Sequence, residues 1–333
     1  MHIGKSYGLL ELLSWTRRRS YVLVLLSFSC VAAYELLGLK WLALPWPVAA
    51  VLGTAISFIV GFKNAQTYNR TQEAQQVWTA LAALTRYWAL ICRDFPKDTS
   101  GTELLIRRHL AWLTVLRYHA RGRRVWESTA TRSNDEYQRR NFKVPEREIP
   151  LQAELQRLLP REEADSMASG RNKLGLLMGR QSAAIRTLHA RQEVVPVHHN
   201  ELQRTLKDLL DQQARVERIK NFPYPRQYAV INTVFVWSFA ALLPLSLVRE
   251  FERFVQPAGM PSLVWLAAPV GVLVAWLYTA LDQVGESTEN PFEGGANDVP
   301  ISTLCQRLET ELLGTDDVLP ETGLRAQGAT FIL

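Results

Sequence analysis

Four stretches of this chain are too long and too uniformly apolar to be placed easily in a soluble core: residues 21–39, 45–62, 228–248 and 263–281. Glu35 is the one charged side chain in all four. A bilayer core of ~30 Å takes a helix of about 20 such residues. One buried helix can show this pattern in a soluble protein, but four in 333 residues point to a multi-pass membrane protein. Tyr21, Trp41, Trp46, Trp265, Trp276 and Tyr278 stand near the run ends, where interfacial aromatic belts form. The apolar fraction of 47% therefore averages membrane spans with a polar body, and it excludes a disordered chain.

Arg17, Arg18 and Arg19 ahead of the first run also fit a signal peptide, including a twin-arginine one. The run is long for a signal core, and no convincing small-x-small cleavage site follows before Glu35, so it reads as a retained span. Basic residues then set the orientation. Arg17–19 precede the first run, Lys63 and Arg70 follow the second, and Arg218, Lys220 and Arg226 precede the third. The opposite side holds Lys40 in one loop, and Arg249 and Arg253 offset by Glu250 and Glu252 in the other. Both termini and the central segment are expected on the cytoplasmic side of the plasma membrane.

This divides the chain into a cytoplasmic N-terminal segment (1–20), two spans (21–62), a helical cytoplasmic domain (63–227), two further spans (228–281) and a cytoplasmic C-terminal segment with a mobile tail (282–333). Residues 63–228 hold 29 Lys and Arg against 18 Asp and Glu, whereas residues 282–333 hold 2 against 10. The opposition suggests that the C-terminal segment packs on the basic body, of its own subunit or a neighbour's. An ordinary solvated surface with an acidic tail fits the same counts. With no proline between Pro47 and Ile91, the second span is expected to continue into the cytoplasm as one long helix, its prolines in the first turn. Residues 183–192 and 200–219 carry helical patterns, residues 221–225 break the second of them, and 123–141 reads as a solvated or mobile connection.

Enzyme chemistry finds no footing. Three scattered cysteines exclude a disulfide framework or a CxxC zinc site. No two of the six histidines form an HExxH pair, and adjacent His198 and His199 leave a helix on different faces, so no metal is expected. No phosphate-binding glycine loop or nucleophile elbow is present. The arginines at 117, 121, 123 and 124 read as a cytoplasmic surface in preference to an RNA-binding one. No cofactor and no nucleic-acid partner are expected.

Within the second run, Thr54, Phe58 and Phe62 recur every four residues and share one helix face. In a monomer such a stripe is packing. Around a symmetry axis it is an apolar throat that gates by dewetting. Spacing leaves both open.

The residues around this stripe resemble the bestrophin family of pentameric ion channels. The likeness is carried by Ile56-Ser57-Phe58-Ile59-Val60-Gly61-Phe62, by Tyr68-x-Arg70-x-x-Glu73-Ala74-x-x-x-Trp78, by Tyr224-Pro225, and by Glu286-x-x-x-Asn290-Pro291-Phe292. The order of spans agrees, and the likeness covers about residues 5–315. It implies an all-α membrane protein of four transmembrane helices and a helical cytoplasmic domain, forming a homopentamer around a central pore. It places the hydrophobic neck on Thr54, Phe58 and Phe62 and a cytoplasmic aperture on Val197. It implies passive passage of monovalent ions, with the lipid bilayer and other copies of the chain as partners.

Three departures qualify it. The acidic calcium clasp of animal members is reduced here to Glu293-Gly294-Gly295-Ala296-Asn297-Asp298, which leaves Asp298 nearly alone for an ion that prefers six to eight oxygen ligands. Gln75 and Gln76 stand where arginine is frequent, and Thr54 replaces a larger apolar neck residue, which suggests a wider and more polar outer neck. The missing clasp and short tail place the chain nearer bacterial members, so the expectation is monovalent cations. A chloride channel of the same architecture and a non-conducting scaffold are the alternatives.

Overall fold

The structure, a computed structural model, describes residues 8–97, 101–127, 131–168, 170, 172–255 and 261–314. The expected mobile tail beyond residue 314 and the first seven residues lie outside the described residues. Among the described residues the chain is helical, with no strand.

Helix α1 spans Leu9–Glu35 and α2 spans Trp46–Asp94. Pro45 caps α2 in extended conformation, Pro47 occupies its first turn, and Pro96 follows its end. The 49 residues between them form one rod of about 74 Å, close to the continuous helix the sequence suggests. The body follows as α3 (Thr102–Arg121), α4 (Arg132–Asn141), α5 (Pro145–Glu148), α6 (Leu151–Leu158), α7 (Arg161–Ala168), α8 (Lys173–Ala190) and α9 (Pro196–Asn221). The chain then returns through α10 (Arg226–Val255) and α11 (Ala267–Thr288), and α12 (Ile301–Leu313) ends the described part.

Two apolar cores share α2. Its first half contributes Ile56 and Val60 to a cluster with Leu23 and Val31 of α1, Phe239 and Leu243 of α10, and Ala268 and Ala275 of α11. Its second half contributes Trp78, Leu81 and Trp88 to a larger cluster with Trp112 of α3, Leu155 of α6, Leu177 of α8, Leu209 of α9 and Leu308 of α12. Helix α9 runs antiparallel to α2, since Arg218 pairs with Glu73, Tyr87 donates to Glu201 (2.9 Å), and His198 stacks on Phe95.

One expectation is met in part and another needs correction. Among the described residues, three segments are by themselves long and apolar enough to cross a bilayer: α2, residues 226–254 of α10, and residues 262–288, which include α11. Helix α1 falls short because Arg17–Arg19 lie inside it and Glu35 ends it. Its uncharged stretch, residues 20–34, rises only about 22 Å. It nonetheless packs in the membrane-side cluster against α10 and α11.

Residues 123–141 are also more than a solvated connection. Helix α4 docks on α1 through Trp15 Nε1 donating to Asn134 Oδ1 (3.0 Å) and through Arg17 and Arg18 sharing Glu136. Asn134 and Gln138 are buried. An all-polar helix gives no apolar period to read, yet buried amides are stable where they are hydrogen-bonded.

The charge opposition is realised within one chain. Glu309 pairs with Arg157, Arg86 donates from Nε and Nη2 to the two carboxylate oxygens of Glu311 (2.8 and 2.9 Å), and the Leu312 carbonyl accepts from Arg93 (2.6 Å). These contacts hold α12 on the body while Ile301, Cys305, Leu308 and Leu312 enter the core.

His109 sits fully buried between Trp88 and Trp112, its Nε2 2.9 Å from Thr85 Oγ1. Burial pushes its pKa down to about 3. The unfolded chain takes up this proton near pH 6.5, so the contribution is complete above that value and is lost as the pH falls below it. Chemical denaturation between pH 7 and 5 is expected to show falling stability, by up to about 1.4 kcal/mol per pH unit. His109→Gln should remove that slope; a slope unchanged in the variant would assign it elsewhere.

Candidate pore-lining face

The two sides of the first half of α2 differ completely. Ala49, Gly53, Ile56, Val60, Lys63 and Thr67, spaced three or four apart, are buried. Thr54, Phe58 and Phe62 project from the other side, with Phe58 65% and Phe62 70% exposed in the single chain. The three residues grouped by spacing therefore do share one open face.

The buried side explains why α2 cannot rotate. A Cβ at Gly53 would lie 3.1 Å from Phe239 Cε2, tighter than an ordinary contact, so α2 and α10 pack closely here. Tyr278 of α11 stacks edge-on to Phe239 (4.9 Å) and hydrogen-bonds both the Gly53 carbonyl (3.3 Å) and Ser57 Oγ (2.9 Å). One residue past Phe62, Lys63 Nζ donates to Asp282 Oδ1 (2.8 Å), both side chains being almost fully buried. The same carboxylate accepts from Asn232 of α10 (2.5 Å) and from Arg19 of α1 (2.9 Å), whose other nitrogen reaches Glu286 (2.7 Å). Asp282 thus ties α1, α2 and α10 to α11 at the level of Phe62. Further down, Thr67 meets Thr288 (3.1 Å), and Arg70 donates to the carbonyls of Glu289 (3.1 Å) and Phe222 (2.8 Å).

Thr54 is less polar than its name suggests. Its hydroxyl donates to the Ala50 carbonyl (2.9 Å), so the helix consumes the donor, which moderates the polarity expected of the outer neck. Below Phe62 the exposed stripe continues as Gln66, Asn69, Gln72 and Gln76. Between Thr54 and Tyr87, α2 exposes no charge without a partner: Glu73 is held by Arg218 and Arg86 by Glu311.

Val197 lies in the first turn of α9, not in a loop before it, and is 74% exposed. Its neighbour His198 stacks on Phe95 at 4.0 Å, which places it roughly 50 Å along α2 from Phe62. The chain does not bring Val197 and the phenylalanines together; it sets them at opposite ends of one rod.

The residues around Asp298 do not fit a calcium ion. Asp298 Oδ1 accepts from the backbone of Phe292 (2.8 Å) and Val299 (2.7 Å), and Oδ2 from that of Gly294 (2.7 Å) and from Arg121 Nη1 (2.8 Å). A carboxylate committed to four N–H donors has little left for a cation, and the buried Arg121 supplies the positive charge itself. The loop turns at Phe292 (φ +75°) and Gly294 (φ +82°), which sends the Phe292 ring into the core edge-on to Trp78. Arg121→Ala would strand a buried carboxylate and is expected to cost about 3–5 kcal/mol. A thermal melt of the detergent-solubilised protein checks this, and a melting temperature unaffected by the substitution would contradict it.

Sequence reasoning missed Asp282 and Arg121. The signal for Asp282 was available, since Lys63 and Asp282 are the first charges after two apolar runs ending on the same side. Arg121 was grouped with Arg117, Arg123 and Arg124 as surface, but Arg117 and Arg121 are buried, and the carboxylate that Arg121 meets is 177 residues away.

Comparison with known proteins agrees with this architecture. Residues 13–314 match the model of the family described as Bacterial/Fungal Bestrophin protein. The voltage-dependent anion channel-forming protein YneE of Salmonella typhi is 27% identical over 85% of this chain and 80% of its own length. The protein of the same name from Escherichia coli K12 is 26% identical over the same shares. A solved bestrophin homologue from Klebsiella pneumoniae superposes with a TM-score of 0.73 at 22% identity, covering 90% of this chain and 97% of that one. With the family match spanning nearly the whole described fold, this chain belongs to the bacterial and fungal bestrophin family.

Proposed function

We propose that the protein is a homopentameric channel that lets small anions run passively down their electrochemical gradient. In this reading five copies of α2 surround a shared axis in the plasma membrane. The Thr54, Phe58 and Phe62 faces turn inward as the neck, and Val197 forms the cytoplasmic aperture. The observation that carries it is the open phenylalanine face on a helix whose opposite side is clamped at Gly53, Ser57 and Lys63. The names of the bacterial relatives support anions. So does the absence of an unpaired acid on the exposed face of α2 among the described residues, because cation channels use rings of Asp or Glu. Phenylalanine edges, which carry partial positive charge, are compatible with an anion in the neck. The monovalent-cation preference suggested by the sequence lacks such support.

Purified protein in planar bilayers under asymmetric KCl tests the choice in one recording. A reversal potential near that of chloride is expected. A value near that of potassium would restore the cation reading, and an absence of current would favour the non-conducting scaffold.

A further inference from the structure

The turn between α8 and α9 brings two histidines face to face. His189 in the last turn of α8 and His199 in the first turn of α9 have ring centroids 4.7 Å apart, tilted by 34°. They are ten residues apart in sequence, a spacing that signals nothing. The chain reverses between them through Gln192 (φ +59°), with the Glu193 N–H bonded to the Leu188 carbonyl (3.0 Å). The Glu193 carbonyl in turn accepts from Lys97 (3.0 Å), which pins the turn to the end of α2.

The hydrogen bonding defines which nitrogens are available. His189 Nδ1 lies 3.0 Å from the Val194 carbonyl, and a carbonyl only accepts, so the Nδ1 position carries the proton. That assignment leaves a lone pair on Nε2, the arrangement metal-ligating histidines adopt when a backbone carbonyl orients them. Among the described residues the His199 ring makes no hydrogen bond. Both rings are half-buried, so water and ions reach them. His198 is turned away, its ring stacked on Phe95 with an 11° tilt.

We propose that His189 and His199 form a binding site for zinc or a similar borderline divalent ion such as nickel. Zinc binds imidazole nitrogens at ~2.0–2.1 Å in tetrahedral geometry, which sets the two nitrogens ~3.3 Å apart. The ring centroids stand 4.7 Å apart, so the two rings would turn from their present tilt to converge on one ion. Water completes the coordination, and the ligand type selects zinc or nickel over the hard ions calcium and magnesium. The metal would join the end of α8 to the start of α9 two residues from Val197. Resting on the aperture reading above, it would stiffen that constriction and reduce ion flow.

Isothermal titration of zinc chloride into the full-length, untagged protein in detergent tests the site itself. Binding of one ion per chain in the micromolar range is expected, with calcium and magnesium giving no heat. His199→Ala and His189→Ala should each weaken zinc binding at least about tenfold. His198→Phe, which keeps the ring stacked on Phe95, should leave it unchanged. Absence of zinc binding, binding as tight as the wild type's in either alanine variant, or loss of binding in His198→Phe would overturn the assignment. Chloride flux from vesicles gives the second arm. Zinc should slow flux through the wild-type protein and spare His199→Ala, whereas bound zinc without slowing would overturn the link to the aperture. A protein that carries no flux even without zinc would count against the channel reading, while the titration still decides the site.

Discussion

Asp282→Ala is expected to be the most destabilising single substitution in the membrane half of this protein. The carboxylate accepts from Lys63, Arg19 and Asn232, and its side chain is 1% exposed. Without it, the Lys63 ammonium is left buried at the edge of the apolar core without its ion-pair partner. Breaking a buried pair from one side costs about 3–5 kcal/mol, against a total stability of ~5–15 kcal/mol for a typical domain. The detergent-solubilised variant should melt far below the wild type or fail to purify as one species. Asp282→Asn, which keeps an acceptor but no charge, should fall between. Replacing both members, as in Lys63→Met with Asp282→Leu, should recover part of the loss, because a well-packed apolar pair can substitute for a buried ion pair. Glu311→Ala supplies the contrast: its pair with Arg86 is about half exposed and should be worth under ~1 kcal/mol. If Asp282→Ala and Glu311→Ala melted alike, the junction would not be holding the spans together.

The second large effect concerns flow. If Phe58 and Phe62 line the neck, Phe58→Ala and Phe62→Ala should each raise chloride flux in reconstituted vesicles by about tenfold, the factor that ~1.4 kcal/mol off a barrier provides. Both rings are mostly exposed within their own chain, so little internal packing is lost and the melting temperature should barely change. Val197→Phe at the far end of the rod should do the reverse, narrowing the aperture and lowering flux. Unaltered flux in both alanine variants would remove these rings from the conduction path, and an inert Val197→Phe would remove the aperture.

Much of this arrangement was legible in the sequence, for an identifiable reason. The motif residues that signalled the family hold the fold together: Trp78 meets Phe292 of a second motif, while Glu73 pairs with Arg218, Arg70 caps the Glu289 and Phe222 carbonyls, and Glu286 holds Arg19. Fixed spacing along the chain reflected contacts that join α2, α9 and α11. The stripe at Thr54, Phe58 and Phe62 was readable because it depends only on helical period. What escaped depended on partners far along the chain or on groups without a period. The apolar run of α1 read longer than its helix because residues 36–39 extend it, whereas the helix stops at Glu35. Helix α4 has no apolar face to detect. Asp298 read as the remnant of a metal clasp until Arg121 was seen against it.

The rod formed by α2 has a mechanical consequence. Because both apolar cores grip the same unbroken helix, neither half can change its attitude independently of the other. A tilt of about 5° in the body would carry a point roughly 50 Å along the axis sideways by about 4 Å, more than the diameter of a water molecule. If copies of the chain surround a passage as proposed, modest leverage at the body end of the rod would be enough to widen or shut it at the apolar end.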